Sequence, residues 1–239
     1  MSAAAHLLLI LATEESAQDL LGSDILPALT DGARLTLLSA LDDAALMDRF
    51  APFAEWIVPL LHYPERRLLS VVRSVLEGAP ARGRTLSPVL DTPRMLDALT
   101  AVEWHAGLRL RPRHDREEVG ELLRVLRPDV VLNCSSAGAP GADLILRVAR
   151  DLGVPTAGCV FSGEDLVSRS QLVNLYDYFF VPDEATGTRL LALCRTVSPA
   201  RVVAGEAAPE RRRADARRAA YRGFAGWWVN QRERGSTRS

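Results

Sequence analysis

Apolar positions along this chain fall into short solid runs separated by stretches of helical spacing. His6–Ala12 (HLLLILA) is such a run, with no polar alternation, as expected of a parallel strand buried on both faces. The next stretch, from a Ser16 cap to Asp31-Gly32, places Leu20, Leu21, Ile25 and Leu29 at helical intervals, and RLTLLS (34–39) is a second strand. A strand, helix, strand unit of this kind needs a right-handed crossover and makes the two strands parallel in one sheet. Further on, the pattern predicts a short acidic helix from Asp42, a strand over 56–61, helical arginine-rich stretches over 64–77 and 92–110, and a surface loop over 78–90. From Asp115 the alternation is regular: a helix to Leu126, a strand over 129–133, a helix over 140–152 and a strand over 154–160. It continues with a strand over 176–181, a helix over 183–194 and a last strand over 201–204. The expected fold is α/β, a doubly wound, mostly parallel, Rossmann-like sheet over residues 1–205, with 206–239 as a separate tail.

Composition removes several chemistries. All 29 basic residues are arginine, so Schiff-base catalysis, the Walker A loop and the kinase strand lysine are excluded. Asp42-Asp43 has the form of a receiver-domain acid pair, but that site also needs a lysine. Cys134, Cys159 and Cys194 are far apart with no CxxC spacing, which makes them buried thiols rather than a disulfide framework or a zinc site. His6, His62, His105 and His114 are dispersed, without HExxH, and no GxSxG elbow occurs. Trp56 and Trp104 sit in apolar contexts that suit core packing, and nothing in the body points to nucleic acid. No metal site and no tightly held cofactor is expected. No apolar stretch reaches the roughly 18 residues of a membrane span, and the start MSAAAH lacks a basic n-region, so a cytoplasmic location is expected.

In an open parallel sheet, ligands bind beyond the carboxyl ends of the strands. The loop after the first strand, ATEES, holds no glycine and cannot bring a dinucleotide pyrophosphate onto its helix in the GxGxxG manner. Its Glu14 and Glu15 serve either as first-turn acids on the helix dipole or as a general base at the mouth of the sheet. The loop from Ser135 and Ser136 through Gly138 to Gly141 combines hydroxyls and backbone N–H groups, which suits a phosphate or a sugar hydroxyl and equally a plain strand-to-helix turn. The loop Ser162-Gly163-Glu164-Asp165, followed by Ser168, is the most polar. Asp165 is there a candidate base or a helix cap, with Glu164, Ser162 and Ser168 as substrate contacts.

At these loops the chain resembles the N-terminal, acceptor-side domain of GT-B fold glycosyltransferases, alongside glycosyltransferase-like proteins of capsule and teichoic-acid type. The resemblance runs through HLLLILA and ILPALTDGARLTLLS. It continues in LRPDVVLNCSSAGAPGADLILRVARDLGVPTAGCVFSGEDLVSRS and closes with VPDEATGTRLLAL and PARVVAG. It covers residues 6–205 and is strongest from 120 onward. Gly163-Glu164-Asp165 stands where the family often has Trp-Asp-Asn, and Phe161 where it often has histidine. The resemblance implies a role in cell-envelope polysaccharide synthesis, with sugar transfer from a nucleotide-sugar donor to a hydroxyl of a small-molecule or lipid-linked acceptor. Such enzymes bind the donor in a second Rossmann domain of about 150 residues, whereas this sequence runs only 34 residues past Gly205. A separate donor-binding subunit is therefore the expected partner; a non-enzymatic binding module or an inactive remnant is the alternative.

Residues 206–239 carry nine arginines against four acids, interleaved with Tyr221, Phe224, Trp227 and Trp228. Three readings fit that composition: an interfacial helix giving peripheral contact with anionic lipid, a solvated disordered tail, or the product of a frameshift in a GC-rich gene.

Overall fold

The computed structural model describes residues 4–61, 63, 111–134, 141–161, 176–194, 197–206 and 213–236. Its elements are β1 (Ala5–Leu11), α1 (Glu14–Leu21), α2 (Ile25–Thr30), β2 (Ala33–Ser39), α3 (Ala44–Asp48) and β3 (Trp56–Pro59). They continue with α4 (Arg113–Leu126), β4 (Val130–Asn133), α5 (Ala142–Asp151), β5 (Thr156–Cys159), β6 (Tyr178–Val181), α6 (Glu184–Leu193), a 3₁₀ turn (Pro199–Arg201), β7 (Val202–Ala204) and α7 (Arg213–Ser236). The seven strands form one sheet in the order β3-β2-β1-β4-β5-β6-β7, and every pairing is parallel. The fold is thus an α/β, Rossmann-like sheet with flanking helices. The predicted helices and loop over 64–110, and the helix after Asp165, lie outside the described residues.

Side chains of β1 show why its run is solid. Leu7, Leu9 and Leu11 join the core on one face of the sheet, and Leu8 and Ile10 join the core on the other. Because helices cover both faces of the sheet at β1, the strand has no solvent face, and period-2 alternation vanishes from the sequence. The first face is covered by α1, α2, Leu46, Phe50 and α7, and the second by α4, α5 and α6. At the amino edge His6 ties three elements together. Its Nδ1 lies 2.7 Å from the Leu126 carbonyl, which can only accept, so Nδ1 carries the proton and Nε2 accepts from the Thr36 hydroxyl at 2.9 Å.

Several local expectations change. The single helix expected over 16–30 is two helices, because Gly22 ends α1 and Asp24 starts α2. Thr13, not Ser16, caps α1: its Oγ1 accepts from the Ser16 N–H at 3.3 Å, while Ser16 is buried inside the first turn. Trp56 is not in the core but 59% exposed, because β3 is a four-residue edge strand with only β2 beside it. Trp104 lies outside the described residues.

Over Arg213–Ser236 the tail is a helix, one of the forms its sequence allows, and it packs on the sheet. α7 lies across the first face of the sheet, and Tyr221, Phe224, Ala225 and Trp228 are buried in the same core cluster as β1 and β4. Their spacing of three, one and three residues makes one stripe of a helix. Trp227 fills the edge of the contact against Tyr178 at 4.6 Å and Phe180 at 5.6 Å between ring centroids. The aromatic side chains that suited a lipid interface are therefore occupied by the protein's own sheet, and an accidental reading frame gives no reason for a stripe that fits this groove. Polar contacts fix the helix axially: the Trp228 indole donates to the Leu29 carbonyl at 3.2 Å and Arg222 reaches Asp24 at 3.8 Å. At Gly205 any Cβ would stand 2.4 Å from the Ala219 carbonyl oxygen, so the end of β7 passes α7 at backbone contact. Among the described residues, no helix is long and apolar enough to cross a membrane.

Candidate functional site

The strand order reverses direction between β1 and β4, because the chain builds outward from β1 to β3 on one side and then from β4 to β7 on the other. This is the topological switch point, and the crevice beyond its carboxyl ends is the ligand position such sheets provide. On its β1 side stands the first turn of α1, carrying Glu14 and Glu15. On its β4 side stand Cys134 and, after residues 135–140, the start of α5.

A short chain of hydroxyls joins the two sides. Thr13 Oγ1 donates to Ser16 Oγ at 2.9 Å, and Ser16 Oγ donates to the Cys134 carbonyl at 2.9 Å. Tyr221 of α7 donates its hydroxyl to the same carbonyl, also at 2.9 Å. Both lone pairs of the carbonyl just after β4 are thus used, and the end of the strand is held at a defined height. Burial pushes the Tyr221 phenol well above its usual range, so it remains a neutral donor.

The two acids differ in their surroundings. Both are exposed, but Glu15 Oε2 lies 3.4 Å from Arg217 Nη1 of α7. The same guanidinium makes a short ion pair through Nε with the buried Asp19 one turn further on, and Arg218 approaches Asp19 from the other side at 3.5 Å. Glu15 is therefore part of the clasp between α1 and α7. Glu14 is exposed at the first position of α1, and among the described residues no ion pair engages it.

The α5 side is built by close approach. Gly141 caps α5 with φ +91, and a Cβ there would stand 2.2 Å from the Leu61 carbonyl oxygen, so only glycine fits. Asp143, in the first turn, accepts from Arg111 Nη2 at 2.7 Å, and Arg111 Nη1 donates to the Tyr63 carbonyl at 2.7 Å, all three being buried. Asn133, the last residue of β4, donates to the Tyr176 hydroxyl at 2.6 Å beneath the crevice. Burial pushes that phenol up as well.

Of the other acids in strand-end loops, Asp43 and Asp183 are helix caps, accepting from the N–H groups of Leu46 at 3.1 Å and Thr186 at 2.7 Å. Ser135, Ser136, Gly138, Ser162, Glu164, Asp165 and Ser168 lie outside the described residues. Sequence reasoning placed Glu14 and Glu15 at the switch point and missed Arg217 and Tyr221, which reach it from the far end of the chain. The signal available for them was the mixture of arginines and aromatic residues over 206–239.

A cavity of about 340 Å³ opens at the opposite, amino edge of the sheet, between Arg150, Pro155, Asp177, Tyr178 and Arg201. Its polar groups are engaged in holding the strands: Asp177 accepts from the backbone N–H and the hydroxyl of Thr156, both at 3.0 Å, and pairs with Arg150 at 3.4 Å. Among the described residues, no three histidine, cysteine, aspartate or glutamate side chains gather as a metal site.

No family model and no curated protein matches the sequence. Among solved structures, the chain is similar to the UDP-GlcNAc 2-epimerase from Neisseria meningitidis bound to UDP-GlcNAc, at 12% identity and TM-score 0.47, over 84% of this chain and 46% of that one. The S. aureus MnaA–UDP co-structure is similar at 13% identity and TM-score 0.47, over 84% of this chain and 43% of that one. A UDP-glucosyltransferase from Polygonum tinctorium aligns at 9% identity and TM-score 0.32, over 68% of this chain and 30% of that one. The chain spans less than half the length of each of these proteins.

Proposed function

We propose that this chain is the acceptor-side half of a GT-B type, glycosyltransferase-like protein, acting with a separate domain that binds a nucleotide-sugar donor. The observation that carries the reading is the switch point between β1 and β4, with Glu14 exposed in the first turn after β1 while Glu15 is tied back to Arg217. In support stand the sequence resemblance over residues 6–205 and the polar loops that the sequence assigns to the same edge of the sheet.

In this reading Glu14 accepts the proton of an acceptor hydroxyl as the hydroxyl oxygen attacks the anomeric carbon. Asp165 is the alternative base. Helix N-termini of the donor domain stabilise the departing diphosphate, so the chemistry needs no metal. Ser135, Ser136, Gly138, Ser162, Glu164 and Ser168 would contact substrate. Capsule- or teichoic-acid-type products and a lipid-linked acceptor belong to this proposal.

The test is co-expression with any nucleotide-sugar-binding Rossmann half encoded beside the gene, followed by transfer of labelled sugar to a panel of hydroxyl acceptors. Glu14→Gln should lower the rate about 10²–10⁴-fold, while Glu15→Gln lowers it little. A stable complex without transfer would replace the enzyme reading with that of a partner-binding module. Transfer indifferent to both Glu14→Gln and Asp165→Asn would remove the proposed base.

A further inference from the structure

Two of the three thiols stand side by side at the switch-point end of the sheet. β4 and β5 run in parallel register with Asn133 opposite Gly158, which makes Cys134 and Cys159 the next pair along. Side-chain alternation sends both to the first face, where they belong to one core cluster with Leu132 and Ala157. Neighbouring strands lie about 4.8 Å apart, within the roughly 4.4–6.8 Å of Cα separation that a disulfide spans. Both cysteines are reduced and buried. α7 lies over them beside α1: Tyr221 bonds the Cys134 carbonyl, as Ser16 does, and the Tyr221 ring stands edge-on to Phe161 at 5.4 Å. Cys194, at the end of α6, is buried on the opposite face.

We propose that Cys134 and Cys159 are a latent dithiol that closes to a disulfide by exchange with a low-molecular-weight disulfide, and that docking of α7 gates the reaction. With α7 docked, burial pushes both thiols up, so the reactive thiolate is scarce and the small disulfide has no path. Lifting the Tyr221 segment of α7 admits water and reagent. One cysteine then loses its proton to solvent and its thiolate attacks the small disulfide, forming a mixed disulfide and releasing one small thiolate. The second cysteine, deprotonated in turn, attacks the protein-side sulfur and releases the other small thiolate. The protein pair gives up two electrons and two protons, and the small disulfide is reduced to two thiols. The new bond ties the end of β4 to β5 at the switch-point end of the sheet, which couples redox state to its mouth.

The experiment exposes the full, reduced chain to oxidised glutathione, quenches with an alkylating agent over time, and follows each cysteine by peptide mass spectrometry without reduction. Cys134 and Cys159 should disappear together into one cross-linked species, ahead of Cys194. Arg217→Ala, which loosens α7 by removing the Asp19 and Glu15 contacts, should speed this about tenfold. Tyr221→Phe, which keeps the ring and loses only the hydroxyl bond, should speed it less. In Cys134→Ser the reaction should stop at a mixed disulfide on Cys159. Loss of all three thiols at one rate would mean global unfolding rather than gating and would overturn the proposal. Separate mixed disulfides on the wild-type pair, or rates unchanged in both α7 variants, would do the same.

Discussion

His6 has its ring buried at the amino edge of the sheet, with one nitrogen donating to a carbonyl and the other accepting from a hydroxyl. Burial is the main cause that lowers its pKa from the usual 6.5; Arg34 adds to the effect, while the Leu126 bond, Glu55 and Asp129 oppose it. A histidine held neutral in the folded state contributes stability that is full above about pH 6.5. That stability is lost as pH falls below this value toward the lower folded pKa. Urea unfolding of wild type and His6→Gln at pH 7.5 and pH 5.5 should therefore give a difference between the two that shrinks in acid. A constant difference would mean that His6 is not the group responsible. At the clasp, Asp19 and Glu15 share Arg217 but not its burial: their side chains are 6% and 76% exposed. Asp19→Ala removes the buried carboxylate that Arg217 and Arg218 share and should cost about 3 kcal/mol. Glu15→Ala removes an exposed contact and should cost about 0–1 kcal/mol, both read by denaturant midpoints.

Among the elements, α7 has the most consequence for so late a position in the chain. Its buried stripe meets β5, β6 and α2, and Trp228 is both packed against Phe224 and bonded to the Leu29 carbonyl. Trp228→Ala should cost about 3–5 kcal/mol, and Trp227→Ala, at the half-buried margin, distinctly less. If the two proved equal in thermal or urea unfolding, the helix would sit rotated about its axis from the position described here. The sequence showed Tyr221, Phe224, Trp227 and Trp228 among arginines, which suited an interfacial helix as one of three readings. The surface they meet was not legible, because a lipid surface and an internal groove select the same spacing of apolar residues. Arginine stems add to that ambiguity, since the charges that would meet anionic lipid here meet Asp19, Glu15 and Asp24 instead.

At the scale of the molecule, the sheet is closed on its first face by the last helix as well as by α1 and α2. Truncation at Glu206 should leave the strands and most helical signal but expose Phe180, Leu29 and the β4–β5 surface. Dye binding to exposed apolar surface should rise and the near-ultraviolet signal should weaken, as in a loosely packed state. A truncated chain that unfolds as cooperatively as the full one would show that α7 is an accessory. Read from its sequence alone, the chain already determined its strands, their parallel order near β1 and the position of Glu14 at a strand end, because burial on both faces and helical spacing are local patterns. Tertiary structure alone decided that Glu15 is held by Arg217, that Tyr221 closes the end of β4, that Cys134 and Cys159 are neighbours, and that the basic aromatic segment belongs to the core. Each of these joins residues far apart in the chain, and no periodicity within one segment records which distant surface it will meet.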